Sequence, residues 1–243
     1  MISDEVYAKG ISLPFVSVLV LGLALYIYFA VWKSKRLYHF LHSVYTRRTA
    51  LIIHTVIQKT TMFIAFGLLP ILVIRRFFHL DPADFGLRFS LPHKSINPLL
   101  LIGVAIGCWF NPGTGKNSWP YPQMRVRDWT VGLMIFNAFL WAIYLIAYEF
   151  MFRGFLFYSF LRFGYWTAVL VSTTLYSVMH GWKGLFETLG SVPLGLLLCF
   201  LTFRSGTILP AFLLHYVMAL VNTVSSVRKK ETLFFVGREK THL

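Results

Sequence analysis

The chain has 243 residues, of which 57% are hydrophobic, 18% are aromatic and only 13% are charged. Soluble domains are about half apolar and about a quarter charged, so this composition excludes an ordinary water-soluble, disordered or fibrous protein and indicates a membrane protein. The 23 Lys and Arg residues against 9 Asp and Glu residues give a net charge of +14. Because these basic residues lie mainly between apolar segments, where they meet anionic lipid head groups, we expect no nucleic-acid partner.

Seven apolar segments predict an all-α bundle of about seven transmembrane helices, within a range of six to eight. The first segment begins near Ile11 and ends near Trp32. It is longer than the core of a signal peptide and has no convincing cleavage site, so we expect it to be retained as a helix. The other segments cover 50–74, 99–110, 129–160, 165–179, 188–203 and 207–227. The segment 99–110 is short compared with the roughly 20 residues that a transmembrane helix needs.

Basic residues predict the orientation of the chain. A dense basic loop follows the first segment, and the positive-inside rule assigns it to the cytoplasm; it contains Lys33, Lys35, Arg36, Arg47 and Arg48. The N-terminus is then outside. An odd number of spans assigns the C-terminus to the cytoplasm, in agreement with the basic tail after residue 227. We therefore divide the chain into N-terminal helices and amphipathic connections (1–128), a helical core (129–227) and a basic cytoplasmic tail (228–243).

Glu149 and Arg153 are charged residues inside an otherwise aromatic and aliphatic helix, in the sequence AYEFMFRGF. Their spacing of four residues puts them on one face of a helix, one turn apart. An unpaired carboxylate in the middle of a bilayer costs about 2.5 to 3.5 kcal/mol even on the lenient insertion scale, and Arg153 can offset much of this. The pair is either a functional group or an ion pair that only joins two helices.

Two histidines lie in other apolar segments. His180 ends the run LVSTTLYSVMHGW one turn after Tyr176, and His215 lies within PAFLLHYVMALVN. Either histidine alone is typical of a hydrogen-bonded core residue. Together with Glu149, however, they are ionisable residues on three different membrane helices, so we expect them to share one polar pocket.

Such a pocket has the groups needed to hydrolyse an amide. A buried carboxylate can take a proton from water, and nearby imidazoles can hold that water, bind a metal or stabilise an oxyanion. The same groups also suit a proton relay. A conventional HExxH zinc site is excluded because the motif is absent, and Cys108 and Cys199, both inside apolar segments, indicate neither a disulfide framework nor a cysteine-based zinc motif.

The order of these motifs resembles the CPBP family of CAAX-processing and bacteriocin-processing intramembrane endopeptidases, also called the Abi family. The resemblance rests on EFMFRG, on YSVMH about one helix later and on a histidine in the last span. The segment DFGLR (84–88) is similar to a stretch often found upstream in bacterial members. The resemblance covers roughly residues 84–227 and implies Glu149, Arg153, His180 and His215 as site residues.

This chain departs from the family pattern at two positions. The first motif usually has two adjacent glutamates, and Tyr148 occupies the position of the first, which is usually assigned as the general base. The histidine of the third motif is usually followed four residues later by asparagine, and Ala219 stands there. Asn222 could supply the side-chain amide of the missing asparagine. It lies about 10 Å along the helix from His215, however, whereas a residue four positions after His215 lies about 6 Å away. Either Glu149 serves as the base with Tyr148 supplying a hydroxyl, or the scaffold has lost hydrolysis.

The resemblance implies an endopeptidase that cleaves a membrane-associated protein or peptide in the lipid bilayer. In our hypothesis Glu149, oriented by Arg153, activates a water held with His180, and His215 stabilises the oxyanion. A divalent metal such as zinc, held by His180 and His215, is an option, although no further ligand stands out. A catalytically inactive, partner-binding scaffold and a proton-coupled transporter, whose path Glu187 could extend, stay open as alternatives. A bacterial cytoplasmic membrane is the expected location.

Overall fold

A computed structural model of the chain describes residues 12–88, 98–110, 121–181, 184–229 and 234–235. Within these residues the chain forms eight helices of ten residues or more and one pair of two-residue strands. In chain order these elements are α1 (Ser12–Trp32), α2 (Lys35–Val44), α3 (Arg47–Phe78), α4 (Pro98–Trp109), β1 (Asp128–Trp129), α5 (Val131–Phe163), α6 (Tyr165–Val178), α7 (Leu185–Ser205), α8 (Leu209–Lys229) and β2 (Phe234–Phe235).

The prediction of an all-α membrane bundle is confirmed. Five helical stretches are long and apolar enough to cross a bilayer: 12–44, α3, α5, the part of α7 from Glu187 onward, and most of α8. Helices α4 and α6 are apolar but have only 12 and 14 residues. Seven apolar helical segments are therefore present at the predicted positions, and two of them are shorter than the roughly 20 residues of a regular span.

The basic loop after the first span contains a helix that was not predicted. Helix α2 begins after Ser34, whose hydroxyl accepts a hydrogen bond from the backbone N–H of Leu37. It is amphipathic, with Leu41 buried and Phe40 60% exposed. The next helix, α3, begins at Arg47, capped by Thr46. The basic residues therefore lie at the ends of helices, where an amphipathic helix meets the membrane interface.

Helix α5 carries the charged motif and lies at the centre of the bundle. It packs against α3 and α8 along its N-terminal half, and α6 packs against its C-terminal half and against α7. Its first turn is capped by Thr130, whose hydroxyl accepts a hydrogen bond from the backbone N–H of Leu133 at 3.1 Å. Strands β1 and β2 are parallel and pair just before this cap. The start of the helix is thereby fixed in place.

The α-helical geometry of α5 is interrupted after Glu149, where residues Phe150–Leu156 form a wider π-helical segment. Every side chain of this segment is buried, including that of Arg153. Gly154 has no room for a side chain, because a Cβ atom there would lie 2.7 Å from the Phe150 ring and 2.9 Å from the carbonyl oxygen of Phe85. π-Helical turns often occur at functional sites, because they rotate the following side chains relative to the preceding turn.

The DFGLR segment contacts both α5 and the residues just before α8. The carbonyl oxygen of Gly86 accepts a hydrogen bond from the backbone N–H of Ile208 at 3.0 Å, and the carbonyl oxygen of Arg88 accepts one from the Thr207 hydroxyl at 2.7 Å. Phe85 also lies against Gly154, so the segment links the π-helical part of α5 to the two residues that immediately precede α8. We call residues Pro82–Arg88 the clasp.

Candidate active site

Glu149 and His215 form a short contact between two titratable side chains. The Nδ1 atom of His215 lies 2.6 Å from Oε1 of Glu149. The Glu149 side chain is 0% exposed and that of His215 is 11% exposed. An ionised carboxylate only accepts, so the Nδ1–H group of His215 donates this short, charge-assisted hydrogen bond. The neutral ring then has its basic nitrogen at Nε2.

Arg153 lies on the other side of the Glu149 carboxylate. One terminal guanidinium nitrogen is 3.3 Å from Oε2 of Glu149, an ion-pair distance, but the geometry is too poor for a hydrogen bond. The guanidinium also stacks over the ring of Tyr176, with 3.9 Å between its central carbon and the ring centroid. Opposite charges at this separation attract strongly when water is excluded. Arg153 therefore helps to hold the Glu149 carboxylate on the side opposite His215.

The last turn of α6 orients the His180 ring. Its Nδ1 atom lies 3.0 Å from the carbonyl oxygen of Tyr176. A carbonyl can only accept, so Nδ1 carries the proton and, in the neutral ring, Nε2 is again the basic nitrogen. The side chain of Tyr176 is completely buried, and its ring centroid is 4.5 Å from that of His180. Tyr176 therefore contacts both His180 and Arg153.

Tyr148 lies between the two histidines. Its ring centroid is 5.8 Å from the ring of His215 and 6.5 Å from the ring of His180, with edge-to-face geometry in both cases. It also lies 5.8 Å from Tyr176. The position where the family pattern has its first glutamate thus faces both imidazoles. The structure brings Glu149, Arg153, His180 and His215 together around Tyr148.

Ala219 and Asn222 lie in different surroundings. Ala219 packs in an apolar cluster with Tyr121, Trp141 and Leu145. The side chain of Asn222 is within hydrogen-bonding reach of Tyr121, and its buried Oδ1 atom has no hydrogen-bond partner among the residues that the structure describes. Asn222 therefore lies beside Tyr121, and we assign it no contact with the histidines.

Lys59 is a charged residue of the bundle that the sequence analysis did not single out. It lies in the interior of α3 and is only 3% exposed. Its Nζ atom is 3.2 Å from the centroid of the Trp141 ring and 3.8 Å from that of the Tyr144 ring. In the sequence it stands in the more polar first half of a helix that is apolar from Met62 onward, and a charged residue in a membrane helix is reason to suspect a function.

The described residues do not form a metal-binding group. In the part of the chain that the structure describes, no three His, Cys, Asp or Glu side chains are arranged to hold a metal ion. The Nδ1 atom of His215 is already engaged by Glu149. A metal held by His180 and His215 stays a prediction.

A comparison with family models finds one match. The model described as Rce1-like, type II CAAX prenyl endopeptidase Rce1-like, matches residues 127–221. This segment begins just before α5 and ends within α8, so it contains Glu149, Arg153, His180 and His215, but it is less than half of the chain and does not include the clasp. Comparisons with curated proteins and with solved structures find no match.

Proposed function

We propose that this chain is an endopeptidase of the CPBP family of CAAX-type intramembrane proteases that cleaves a membrane-associated protein or peptide, because residues 127–221 match the Rce1-like family model. The chain is an integral membrane protein, so the proposed substrate reaches the site from the lipid bilayer. We further propose that it resides in a bacterial cytoplasmic membrane with its C-terminus in the cytoplasm. The basic residues beside the spans support this orientation.

The contact between Glu149 and His215 is the observation that carries the proposal. Each oxygen of Glu149 already faces a positive or proton-donating group, His215 or Arg153, and the side chain is 0% exposed. His215, by contrast, keeps part of its ring accessible. We therefore assign proton transfer to His215 rather than to Glu149, which orients the ring and stabilises the positive charge that forms on it.

The proposed reaction is addition of water to a peptide carbonyl. The Nε2 atom of His215 takes a proton from the water while the water oxygen forms a bond to the carbonyl carbon. His180 and the hydroxyl of Tyr148 hold the water and stabilise the carbonyl oxygen as it becomes negative. His215 then returns the proton to the amide nitrogen, the C–N bond breaks, and a carboxylic acid and an amine leave.

Cleavage of lipid-anchored peptides tests this proposal. The purified protein, reconstituted in lipid nanodiscs, is incubated with a peptide library that carries a prenyl or acyl anchor, and products are identified by mass spectrometry. We expect discrete cleavage by the wild type and a loss of roughly 10²-fold or more in His215→Gln, the usual contribution of an acid–base residue. Equal cleavage by the wild type and His215→Gln would contradict the assigned role.

A second candidate function is a non-catalytic membrane scaffold. Two observations favour it: Tyr148 occupies the place of the expected glutamate beside both histidines, and Ala219 packs in an apolar cluster. If this candidate is correct, the wild type is inert, and the double variant Tyr148→Glu, Ala219→Asn acquires hydrolysis. Robust proteolysis by the wild type would rule the scaffold out.

A further inference from the structure

Arg153 brings more hydrogen-bond donors into the bundle than the described residues accept. Its guanidinium carries N–H groups on all three nitrogen atoms, and the side chain is 0% exposed. None of the three nitrogens makes a hydrogen bond to a residue that the structure describes. The ion pair with Oε2 of Glu149, at 3.3 Å, balances the charge but leaves these donors without acceptors. Buried polar groups in folded proteins are nearly always hydrogen-bonded, either to protein or to ordered water.

Two polar atoms beside Arg153 are in the same condition. Oε2 of Glu149, the oxygen that does not contact His215, accepts no hydrogen bond from the described residues. The hydroxyl of Tyr176 also has no hydrogen-bond partner among them, although the side chain is completely buried and its ring stacks on the guanidinium at 3.9 Å. This hydroxyl lies within reach of the Arg153 side chain, but the geometry is not that of a hydrogen bond. Donors and acceptors of three buried neighbours are therefore close together without bonding directly.

The charges of these three groups decide what kind of molecule can bind between them. An anion attracted by Arg153 would also lie against the carboxylate of Glu149, and a cation attracted by the carboxylate would lie against Arg153. A small neutral molecule that both donates and accepts hydrogen bonds avoids both conflicts. Water meets this description, and buried waters typically make about three hydrogen bonds. A water here can accept from the guanidinium, donate to Oε2 of Glu149 and bond to the hydroxyl of Tyr176.

We propose that Glu149, Arg153 and Tyr176 form a binding site for one buried water molecule, and that Tyr176 is thereby a positioning residue for Glu149. The water links Oε2 to the guanidinium and to the hydroxyl, so the carboxylate does not rotate away from His215. It is distinct from the water that adds to the peptide bond, because it binds on the Arg153 side of the carboxylate, among groups that are 0% exposed. The positioning role rests on the proposed function, whereas the water site does not.

Tyr176 contacts both halves of the candidate active site. Its backbone carbonyl accepts the Nδ1–H group of His180 at 3.0 Å, and its ring centroid is 4.5 Å from that of His180. The face of the same ring holds the guanidinium of Arg153. A displaced Tyr176 would therefore disturb His180 and Glu149 together. The contribution of the hydroxyl can be measured separately, because Tyr176→Phe keeps the ring and the backbone carbonyl.

The sign of the stability change in Tyr176→Phe tests the water site without any measurement of activity. A buried hydroxyl that makes no hydrogen bond is destabilising, so its removal from a dry site would raise Tm. Its removal from a water-bridged site breaks a hydrogen bond, and we expect Tm in lipid nanodiscs to fall by about 2 to 4 °C.

The matched control is Tyr165→Phe, which makes the same change on the same helix, about 16 Å away along the axis. The Tyr165 ring packs on that of Phe203, with 4.7 Å between centroids, and the half-buried side chain is far from Arg153. We expect its Tm to change less than that of Tyr176→Phe. An unchanged or higher Tm in Tyr176→Phe, or an equal fall in both variants, would overturn the proposal.

An electron-density map of the full-length wild type, from crystals grown in a lipid phase and at a resolution that shows ordered waters, provides the direct test. We expect one density within hydrogen-bonding distance of Oε2 of Glu149, of the guanidinium of Arg153 and of the hydroxyl of Tyr176. Direct hydrogen bonds from the guanidinium to Oε2, with no density between the three groups, would overturn the proposal.

Kinetics test the positioning role and separate it from the proposed function. Tyr176→Phe should lower kcat roughly tenfold with little change in KM, because the buried hydroxyl acts through Glu149 and not on the substrate. Tyr165→Phe should keep the wild-type rate. An active wild type together with full kcat in Tyr176→Phe would contradict the positioning role. If the wild type cleaves no peptide, the proposed function fails, and the Tm comparison and the density map still decide whether the water is bound.

Discussion

His215 and Glu149 are 66 positions apart in the chain, yet the Nδ1 atom of the histidine lies 2.6 Å from a carboxylate oxygen of the glutamate. The contact joins α8 to α5 at the point where α5 changes from α-helical to π-helical geometry. A buried carboxylate that accepts a hydrogen bond from one ring nitrogen of an imidazole keeps the proton on that nitrogen. The other ring nitrogen then faces away from the carboxylate. This arrangement makes the two residues one functional unit.

We therefore expect Glu149→Gln and His215→Gln to be non-additive. Each single variant should lower kcat/KM by roughly 10² to 10⁴, and the double variant should be little worse than the more impaired single variant, because both remove the same unit. The measurement is a double-mutant cycle on an anchored peptide, with the exposed His39→Gln as control. Independent, multiplicative losses would show that the two residues act separately.

The charge of Arg153 should matter for stability as well as for activity. Removing it in Arg153→Met leaves Glu149 completely buried without its ion-pair partner, and breaking a buried pair in this way costs about 3 to 5 kcal/mol. The double variant Arg153→Met, Glu149→Gln should recover part of this loss, because no unpaired charge remains. Unfolding in detergent, monitored by circular dichroism, provides the measurement, with the exposed Arg76→Gln as control. A double variant less stable than Arg153→Met would refute the electrostatic explanation.

Two glycines on α5 offer a matched test of the contact with the clasp. Gly154→Ala should destabilise the protein by about 1 to 3 kcal/mol, since its Cβ atom would lie 2.9 Å from the Phe85 carbonyl and 2.7 Å from the Phe150 ring. A Cβ atom added at Gly132 would have no neighbour within 4 Å among the described residues outside its own stretch of helix, so Gly132→Ala should be neutral or slightly stabilising. The same change of thermal stability in both variants would mean that the contact with the clasp does not decide the effect.

The positions of the helices could be predicted well from hydropathy, and several of their local features could not. The segments predicted over 99–110 and 165–179 correspond to α4 and α6 within one residue at each end. Helix α2 was missed because ten amphipathic residues between basic ends resemble a polar loop. The π-helical segment Phe150–Leu156 was also missed, because no local pattern in the sequence distinguishes it from a regular α-helix.

The proximity of Glu149, His180 and His215 could be anticipated for one physical reason: ionisable groups are rare in apolar helices, and these three residues are conspicuous there. The same reason applies to Lys59, which was overlooked because the first half of α3 is less apolar than the other spans. The sequence could not show which of the two histidines contacts Glu149. That His215 rather than His180 contacts Glu149 depends on how α6 and α8 pack on α5.

The Tyr148 hydroxyl should contribute to turnover without contributing to folding. Tyr148→Phe keeps the ring that packs 4.8 Å from Phe152 and between the two histidines, so stability should be unchanged. If the hydroxyl stabilises the oxyanion, kcat should fall by roughly 10²-fold with little change in KM. A variant that retains full kcat would show that Tyr148 supplies only packing to the site.

The central claim is that the Glu149–His215 pair directs water onto a peptide bond inside the membrane. The most direct measurement is cleavage of an anchored peptide in ¹⁸O-labelled water, comparing the wild type with Glu149→Gln at equal protein concentration and with products analysed by mass spectrometry. We expect the wild type to place one labelled oxygen in the new carboxyl group and Glu149→Gln to yield almost no product. Equal yields of labelled product from both proteins, or a wild type that cleaves no anchored peptide, would contradict it.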